Sequence, residues 1–339
     1  MVLTRTIVGR HCEHMSLLFT LAELDQATEL VGRYLSPTPA ASWPVLNDEM
    51  GVEVIVKHEN GTPTGAFKVR GGLVYMDKLT SERPGTPGVV SATRGNHGIS
   101  LSFSGRTFGV PVVIVVPEGN GAEKNATMKS LGAELVIHGC DFEEARLHSV
   151  RIAEERGLEL IPPFHPDLVR GVATYARELF TAAGPIDTVY VPVGMGSGIC
   201  GLITTRDLLE LPTKIVGVVS ENAPAQALSF SAGHVVSTAS AATFVDGVAT
   251  RQPDARAAAI ILGGAERIVT VSETATADAI RRLWRTTHHL PEPAGAIALA
   301  GLWRERELHA GKRVAVILTG SNMDTDMAAE VLGGATPKP

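Results

Sequence analysis

The sequence has few of the features that mark a specialised class of protein. Charged residues make up only 19% of its 339 residues and the formal net charge is −6, so the chain lacks the basic surface that nucleic-acid binding requires. No apolar run approaches the length of a membrane span. The hydrophobic content of 44% is ordinary for a soluble protein, and the length suffices for two domains. We therefore expect neither nucleic acid nor a membrane as a partner.

Cysteine is also scarce, and no disulfide framework is expected. The three cysteines, Cys12, Cys140 and Cys200, are widely spaced, which is typical of reduced thiols in a cytoplasmic protein. The N-terminus has no long apolar stretch before a small-residue cleavage site, so no signal peptide is predicted. The segment HCEH at 11–14 and the histidine pair at 288–289 lack a second ligand pair at a familiar spacing, and we predict no metal at either.

The sequence does have a regular alternation of strand and helix patterns. Short β-branched runs are predicted as strands at 89–91, 111–117, 134–138, 158–161, 188–193, 214–219, 267–271 and 313–318. The segments between and after them are predicted as helices at 98–108, 122–131, 142–156, 168–183, 199–210, 274–288, 294–309 and 322–332. Gly109, Gly132 and Gly157 are expected to end three helices in a left-handed conformation. The pattern indicates an α/β fold with a parallel sheet covered on both faces.

The most informative segment is KHENGTPTGAFKVRGG at 57–72, in which Lys68 lies between an aromatic residue and two glycines. A lysine can form a Schiff base with an aldehyde, and burial lowers its pKa so that the free amine can act as a base. A lone lysine is more often a solvated residue at a helix start. The interpretation therefore depends on the segments that follow.

Three further segments carry chemistry: SATRGNHG at 91–98, VPVGMGSGICG at 191–201 and ILTGSNMD at 317–324. The first two run from a predicted strand into a predicted helix, where backbone N–H groups and the helix dipole can hold an anion. The glycine spacing in the second is not Gly-x-Gly-x-x-Gly, so a dinucleotide site is disfavoured, and a tight turn is the plainer alternative.

Together, in this order and at this spacing, the four segments resemble the fold-type-II pyridoxal phosphate enzymes, and most closely the threonine/serine dehydratase and serine racemase branch. The resemblance covers nearly the whole chain. It implies pyridoxal 5'-phosphate as cofactor and a fold like that of the tryptophan synthase β subunit, with two open, twisted, mostly parallel sheets flanked by helices. It also implies a small domain at 87–163 inserted into a large one formed by 1–86 and 164–339. The active site would lie in the crevice between the domains.

The resemblance assigns the cofactor contacts residue by residue. Lys68 is the predicted catalytic residue and Schiff-base anchor, Asn96 would hydrogen-bond the ring hydroxyl, and Thr319 would meet the pyridine nitrogen. The phosphate would be held by Gly194, Met195, Gly196, Ser197 and Gly198. A hydroxyl at Thr319 is too weak an acid to protonate the pyridine nitrogen. A neutral pyridine is a weaker electron sink, so the carbanion at Cα is short-lived and β-elimination is favoured over transamination. Alternatively, Thr319 is simply a β-branched strand residue.

Three further residues are predicted near the cofactor ring, and five near the substrate. Phe67 could equally be a core aromatic, and Glu292 a helix-start carboxylate, whereas Gly247 would approach by its backbone. The substrate carboxylate is assigned to the loop of Thr93, Arg94, Gly95, Asn96 and His97. The Asn96-His97 pair can also be read as a helix cap.

Two departures from the family matter. The racemase branch has a serine where this chain has Arg94, and an arginine stays protonated, so racemisation is not expected. Arg94 is predicted to contact a substrate anion or the loop, with exposure to solvent as the alternative. Where relatives with a divalent cation supply acidic residues, this chain has Ser220, Pro224 and Gln226. Glu221 is the only acidic residue nearby, so no tight metal site is predicted there. Binding of a monovalent ion by backbone carbonyls stays an alternative.

These observations predict a pyridoxal phosphate-dependent ammonia-lyase that performs α,β-elimination on a β-hydroxy amino acid such as L-threonine or L-serine. The product would be a 2-oxo acid and ammonia. The alternatives are an amino-acid racemase or a β-replacement lyase of the same family, or a nonenzymatic binding protein, which predicts a lost lysine. We expect a cytoplasmic homodimer or homotetramer. Because the chain ends soon after Thr319, at Pro339, we expect no strong feedback inhibition by isoleucine at a separate regulatory domain.

Overall fold

The fold contains two β-sheets in the part of the chain that the computed structural model describes, residues 18–339. The larger sheet has six strands in the order β1-β2-β10-β7-β8-β9, in which only β1 is antiparallel to its neighbour. Its strands are β1 Ala40–Ser42, β2 Glu53–His58, β7 Thr188–Pro192, β8 Lys214–Ser220, β9 Arg267–Val271 and β10 Arg313–Leu318.

The smaller sheet has four strands, all parallel, in the order β5-β4-β3-β6. Its strands are β3 Val89–Ala92, β4 Val112–Val116, β5 Glu134–Ile137 and β6 Glu159–Leu160. All four lie within 87–163, the segment predicted as the inserted small domain. The exact division into domains stays a prediction.

Thirteen α-helices are described within residues 18–339, and they flank the two sheets. They are α1 Leu21–Gly32, α2 Pro44–Met50, α3 Lys68–Glu82, α4 Asn96–Phe108, α5 Ala122–Ser130, α6 Phe142–Arg156, α7 Pro166–Ala182, α8 Ser197–Leu208, α9 Ala225–Ala232, α10 Ala255–Gly264, α11 Glu273–Thr287, α12 Pro293–Glu305 and α13 Thr325–Leu332. Gly109, Gly132 and Gly157 have φ of 70°, 93° and 64°, so the predicted left-handed turns are confirmed.

The strands end where the predicted site segments begin. Ala92 ends β3, Pro192 ends β7 and Leu318 ends β10, and each is followed within two residues by one of the three loops. Parallel sheets bind ligands at the carboxyl ends of their strands, so the topology places these loops at one crevice. The predicted α/β fold class with two mostly parallel sheets is confirmed.

The cysteines fall partly outside the described residues. Cys12 and the segment 11–14 lie outside the described residues. Cys140 is exposed and Cys200 is buried, both as free thiols. None of the helices described is long and apolar enough to cross a membrane.

Candidate active site

Lys68 is the first residue of α3, and its amine lies against the glycine loop. Its Nζ donates a hydrogen bond of 2.8 Å to Ser197 Oγ, although the two residues are 129 positions apart. The backbone oxygen of Lys68 accepts a 2.7 Å bond from Ser100 Oγ on α4, which fixes the start of the helix. Burial of the amine lowers the pKa of Lys68 to about 8. A larger fraction of neutral amine is therefore present near neutrality than for an ordinary lysine.

The glycine loop at 194–198 is shaped by close approach. Gly196 has φ of +101°, and a Cβ there would lie 2.9 Å from the Cβ of Ala257, so both conformation and space favour glycine. A Cβ on Gly194 would clash with the backbone oxygen of Gly247, which brings the Gly247 backbone directly against the loop. Ser197 then begins α8, whose free N–H groups and dipole can hold an anion.

Two residues that the sequence did not assign to the glycine loop brace it, and one of them, Gln226, was named there only as a position compared for a cation. Gln226 Nε2 donates 2.8 Å to the oxygen of Gly194, and the Tyr175 hydroxyl donates 3.1 Å to the oxygen of Gly198. Met195 accepts a weak 3.9 Å contact at Sδ from the Thr250 hydroxyl. Nothing in the local sequence around Tyr175 or Gln226 predicts this contact with the loop, because the contact depends on the packing of α7 and α9.

Asn96 begins α4 and connects three segments. Its Nδ2 donates 2.6 Å to Glu292 Oε1, and its Oδ1 accepts 2.8 Å from Asn322 Nδ2. Asn322 also donates 2.8 Å to the backbone oxygen of Thr64. Asn322 was not predicted as a site residue, although it stands in the segment ILTGSNMD, three residues after Thr319.

Thr319 follows β10 and is buried beside the lysine segment. Its backbone oxygen accepts a 3.0 Å bond from the N–H of Phe67, and Gly320 pairs with Ala66. Phe67 packs against the core and meets Tyr175 edge to face at 6.2 Å between ring centroids. The structure therefore brings Thr319 together with Phe67 and Lys68, and Phe67 is in part the core aromatic that the sequence allowed.

Glu292 is only 2% exposed, and its carboxyl is unusual. Burial raises its pKa to about 7, the charge of Asp246 adds to the rise, and Lys124 opposes it. Lys124 Nζ lies 2.5 Å from Asp246 Oδ2, so this cation is already paired. Neither Lys124 nor Asp246 was predicted as a site residue. Helix α5 carries no recognisable motif, and in the segment VDGV at 245–248 only Gly247 was assigned to the site.

The substrate loop at 93–97 is compact except for one exposed side chain. The Thr93 hydroxyl accepts a 3.0 Å bond from the N–H of Gly95. His97 is buried, its Nε2 has no partner among residues 18–339, and burial together with the Lys68 charge lowers its pKa to about 3. Arg94 is exposed and makes no hydrogen bond or ion pair within the described chain. The predicted contact of Arg94 with a substrate anion or with the loop stays a prediction.

The loop after β8, which was compared with the cation sites of relatives, uses two of its side chains for hydrogen bonds within the protein. Ser220 Oγ donates to Glu273, and Gln226 donates to Gly194. Across residues 18–339, no group of three or more His, Cys, Asp or Glu side chains is arranged to hold a metal ion. The expected lack of a tight metal site stays a prediction.

The residues present fit a cofactor that carries an aldehyde and a phosphate. A lysine of lowered pKa faces a glycine loop at a helix N-terminus, and two buried polar atoms close by, Glu292 Oε2 and His97 Nε2, have no partner in the described chain. Buried polar atoms are normally satisfied, so both indicate that a bound molecule completes the site. Such an arrangement defines the class of enzymes that work through a cofactor bound to lysine.

Comparison with known proteins identifies the family. Residues 31–320 match the family described as pyridoxal-phosphate dependent enzyme, and the chain belongs to that family. The suspected resemblance and the predicted cofactor are confirmed.

Individual relatives agree with this placement. The chain is 31% identical to an L-threo-3-hydroxyaspartate ammonia-lyase of Saccharomyces cerevisiae, over 94% of this chain and 98% of the relative. A structure of processed threonine deaminase isoform 2 from Solanum lycopersicum matches with a TM-score of 0.85 and 28% identity, covering 93% of this chain and 95% of the other. Maize serine racemase matches with a TM-score of 0.84 and 25% identity, covering 91% and 95%. The predicted class of enzyme, a pyridoxal phosphate-dependent lyase, is confirmed.

Proposed function

We propose that the protein is an ammonia-lyase that eliminates water from a β-hydroxy amino acid and releases a 2-oxo acid and ammonia. L-Threonine and L-serine are the predicted substrates, together with related β-substituted hydroxy amino acids. The observation that carries the proposal is the 2.8 Å hydrogen bond from Lys68 Nζ to Ser197 Oγ. It joins a lysine of lowered pKa to a helix start that can hold a phosphate. The names of the yeast and tomato proteins, an ammonia-lyase and a deaminase, support the same reaction.

The roles proposed for the cofactor residues are those that the family resemblance implies. Lys68 would bind the cofactor aldehyde and, once free, its amine would take the proton from the substrate Cα. The loop at 194–198 would hold the phosphate, with Gly247 packed behind it. Asn96 would bind the ring hydroxyl and Thr319 the pyridine nitrogen. When bound, pyridoxal phosphate supplies the electron sink for the carbanion.

The substrate carboxylate would lie at the N-terminus of α4. That helix has 13 residues, and its first N–H groups are free to hold an anion. Thr93 and Gly95 form the turn before the helix, and the buried His97 stands in its first turn. Arg94 would extend from this turn toward a second acidic group of the substrate, if the substrate has one.

The absorbance spectrum of the purified protein tests the proposal first. A visible Schiff-base band that bleaches with borohydride is expected in the wild type and absent in Lys68→Ala. Lys78→Ala is the matched control, because Lys78 lies on the same helix, is 41% exposed at its side chain and pairs with Asp167. A panel of β-hydroxy amino acids is then assayed for 2-oxo acid. A Lys68→Ala variant with near-normal turnover, or a wild type that forms D-amino acids but no 2-oxo acid, would contradict the proposal.

Racemisation is the competing activity in the same family. It needs an acid–base group on the face opposite the lysine, and the racemase branch uses a serine where this chain has Arg94. The guanidinium stays protonated and the side chain is exposed, so it cannot shuttle a proton there. Elimination needs no such second base.

The finer organisation of the protein is also proposed. We expect a cytoplasmic homodimer or homotetramer, as the resemblance implies. Light scattering during size-exclusion chromatography would measure the mass of the assembly. We also propose the division into 87–163 and the two flanking segments as domains. Limited proteolysis near 81–88 and 163 would test it.

A further inference from the structure

Glu292 has a carboxyl oxygen that the protein leaves without a partner. The residue precedes α12 and is 2% exposed. Its Oε1 accepts a 2.6 Å bond from Asn96 Nδ2, whereas its Oε2 has no partner within residues 18–339. A buried carboxyl oxygen is costly unless something hydrogen-bonds it. Oε2 therefore points to a contact with a bound molecule.

The carboxyl lies against the segment that carries the lysine. A Cβ on Gly320 would be 2.5 Å from Glu292 Oε1 and 3.0 Å from the Cβ of Ala66. Gly320 therefore packs directly between the carboxyl group and Ala66. The N–H of Glu292 donates 3.0 Å to the oxygen of Gly320. Lys68 is two residues beyond Ala66. Glu292 thus borders the same crevice as the lysine.

Burial favours the protonated form of Glu292 near neutrality, whereas the charges around it act in both directions. Burial is the largest cause of the raised pKa, and Asp246 adds to it, while Lys124 and the hydrogen bond from Asn96 oppose it. Lys124 is held 2.5 Å from Asp246, and its charge also interacts with Glu292 and Asp324, so it is shared among three carboxyl groups. A pKa of about 7 leaves roughly half of the Glu292 side chains protonated at neutral pH.

Other residues of the crevice are poorly suited to donate a proton to a leaving hydroxyl. Lys68 has to accept the Cα proton in the same step. His97 has a pKa lowered to about 3, so its imidazole is neutral at pH 7. Arg94 is exposed and stays protonated. Glu292 is the side chain among these that is both buried in the crevice and able to release a proton near pH 7.

We propose that Glu292 is a catalytic acid that protonates the departing β-hydroxyl, an inference that rests on the proposed elimination reaction. The Cα–H bond breaks and its proton goes to the Lys68 amine, while the electron pair forms the Cα=Cβ bond. The Cβ–O bond breaks with its electron pair on oxygen, which takes the proton of Glu292 and leaves as water. Exchange with solvent after product release returns the proton to Glu292 and removes that of Lys68.

The test compares two leaving groups in Glu292→Gln. Glutamine has nearly the same shape and can still accept the bond from Asn96, but it is not an acid. For L-serine or the best hydroxy substrate, kcat/KM is expected to fall by about 100-fold, as for the loss of a general acid. For β-chloro-L-alanine, whose chloride leaves without a proton, the fall is expected to stay within about threefold. Equal losses for both substrates would overturn the proposal and indicate a role in holding the cofactor.

The pH profile and the protonation state give independent readouts. In the wild type, kcat/KM for the hydroxy substrate is expected to fall as the pH rises through about 7, because the acid is then ionised, and the chloro substrate should lack this limb. Infrared spectra of the holoenzyme should contain a protonated carboxyl band that titrates near neutral pH and is absent in Glu292→Gln. No such band would overturn the proposal whatever substrate the enzyme accepts.

Failure of the proposed function would be recognised separately. A wild type that releases 2-oxo acid from no hydroxy amino acid would refute the lyase. A wild type that does so, but whose Glu292→Gln variant keeps full activity on the hydroxy substrate, would refute the acid alone. Glu292→Asp completes the series, because it keeps an acid at shorter reach and should retain part of the activity on the hydroxy substrate that glutamine loses.

Discussion

Replacing Arg70 by methionine is expected to destabilise the protein strongly. Arg70 is fully buried two residues after Lys68. It forms bidentate hydrogen bonds with Glu59 at 2.7 and 3.0 Å and with Glu178 at 2.6 and 2.9 Å. Its Nη1 also donates 3.1 Å to the Thr174 hydroxyl. The two carboxylates raise the pKa of Arg70 in spite of its burial.

The size of the effect follows from what Arg70→Met leaves behind. Among residues 18–339, Glu59, which is 0% exposed, would keep only Lys57 at 3.8 Å and the hydroxyl of Thr38 as partners. Leaving one partner of a buried ion pair uncompensated costs about 3–5 kcal/mol. At roughly 2.1 cal/mol/K of unfolding entropy per residue, a cooperative chain of 339 residues loses about 1.4 °C of Tm per kcal/mol. The expected fall in Tm is therefore about 4–7 °C.

Calorimetry of the holoenzyme measures this fall, with Arg146→Met as the matched control. Arg146 pairs with Glu143 one turn away on the surface, with its side chain 44% exposed, so its loss should cost less than about 1 kcal/mol. Adding Glu59→Gln to Arg70→Met should restore part of the Tm, because the stranded charge is removed. A fall no larger than that of the control, or no recovery in the double variant, would refute the reasoning.

Three further changes probe the site. Gly196→Ala should weaken cofactor binding, because Gly196 has φ of +101° and a new Cβ would lie 2.9 Å from the Cβ of Ala257. Gly32→Ala is the control, since nothing lies within 4 Å of a Cβ there. Equally tight binding of the cofactor by both variants in a titration would contradict the prediction. The rate at which the cofactor-free protein takes up pyridoxal phosphate should rise with pH and reach half its maximum near pH 8, because only the neutral amine of Lys68 attacks the aldehyde. A midpoint near pH 10.5 would show that burial does not lower the pKa of Lys68. Arg94→Ala should raise KM about tenfold for a substrate with a second carboxylate and leave L-threonine unchanged, and identical kinetics of both proteins on both substrates would eliminate the contact.

Most of the regular structure after residue 83 was predictable from local pattern. The predicted strands 267–271 and 313–318 coincide with β9 and β10, and the predicted helix 142–156 coincides with α6. Each has a clear apolar run or ends at a capping residue. The segment predicted as helix at 322–332 begins instead at Thr325, because the preceding residues, Asn322 among them, form the loop of the site.

The region before residue 83 was harder to predict, and the physical reason is buried charge. β2 ends in Lys57 and His58, and α3 contains Arg70 and two adjacent glycines, which are poor helix formers. These polar residues are buried, so the segments do not show the apolar periodicity that marks an element. Glu178, the partner of Lys57 and Arg70, lies more than 100 residues away on α7, and local sequence cannot reveal it.

The same limit applies to the site, where the motifs named individual residues but not the bonds between them. Asn96 was predicted from its loop, yet its side chain is fixed by Glu292 at 2.6 Å and Asn322 at 2.8 Å, about 200 residues further along the chain. Asn96 follows a strand of the smaller sheet, whereas Asn322 follows the last strand of the larger sheet. These bonds exist only when the two sheets are brought together. Because the proposed ring-hydroxyl contact and the proposed acid share this network, the packing of the two sheets sets both the position of Asn96 and the environment that raises the pKa of Glu292.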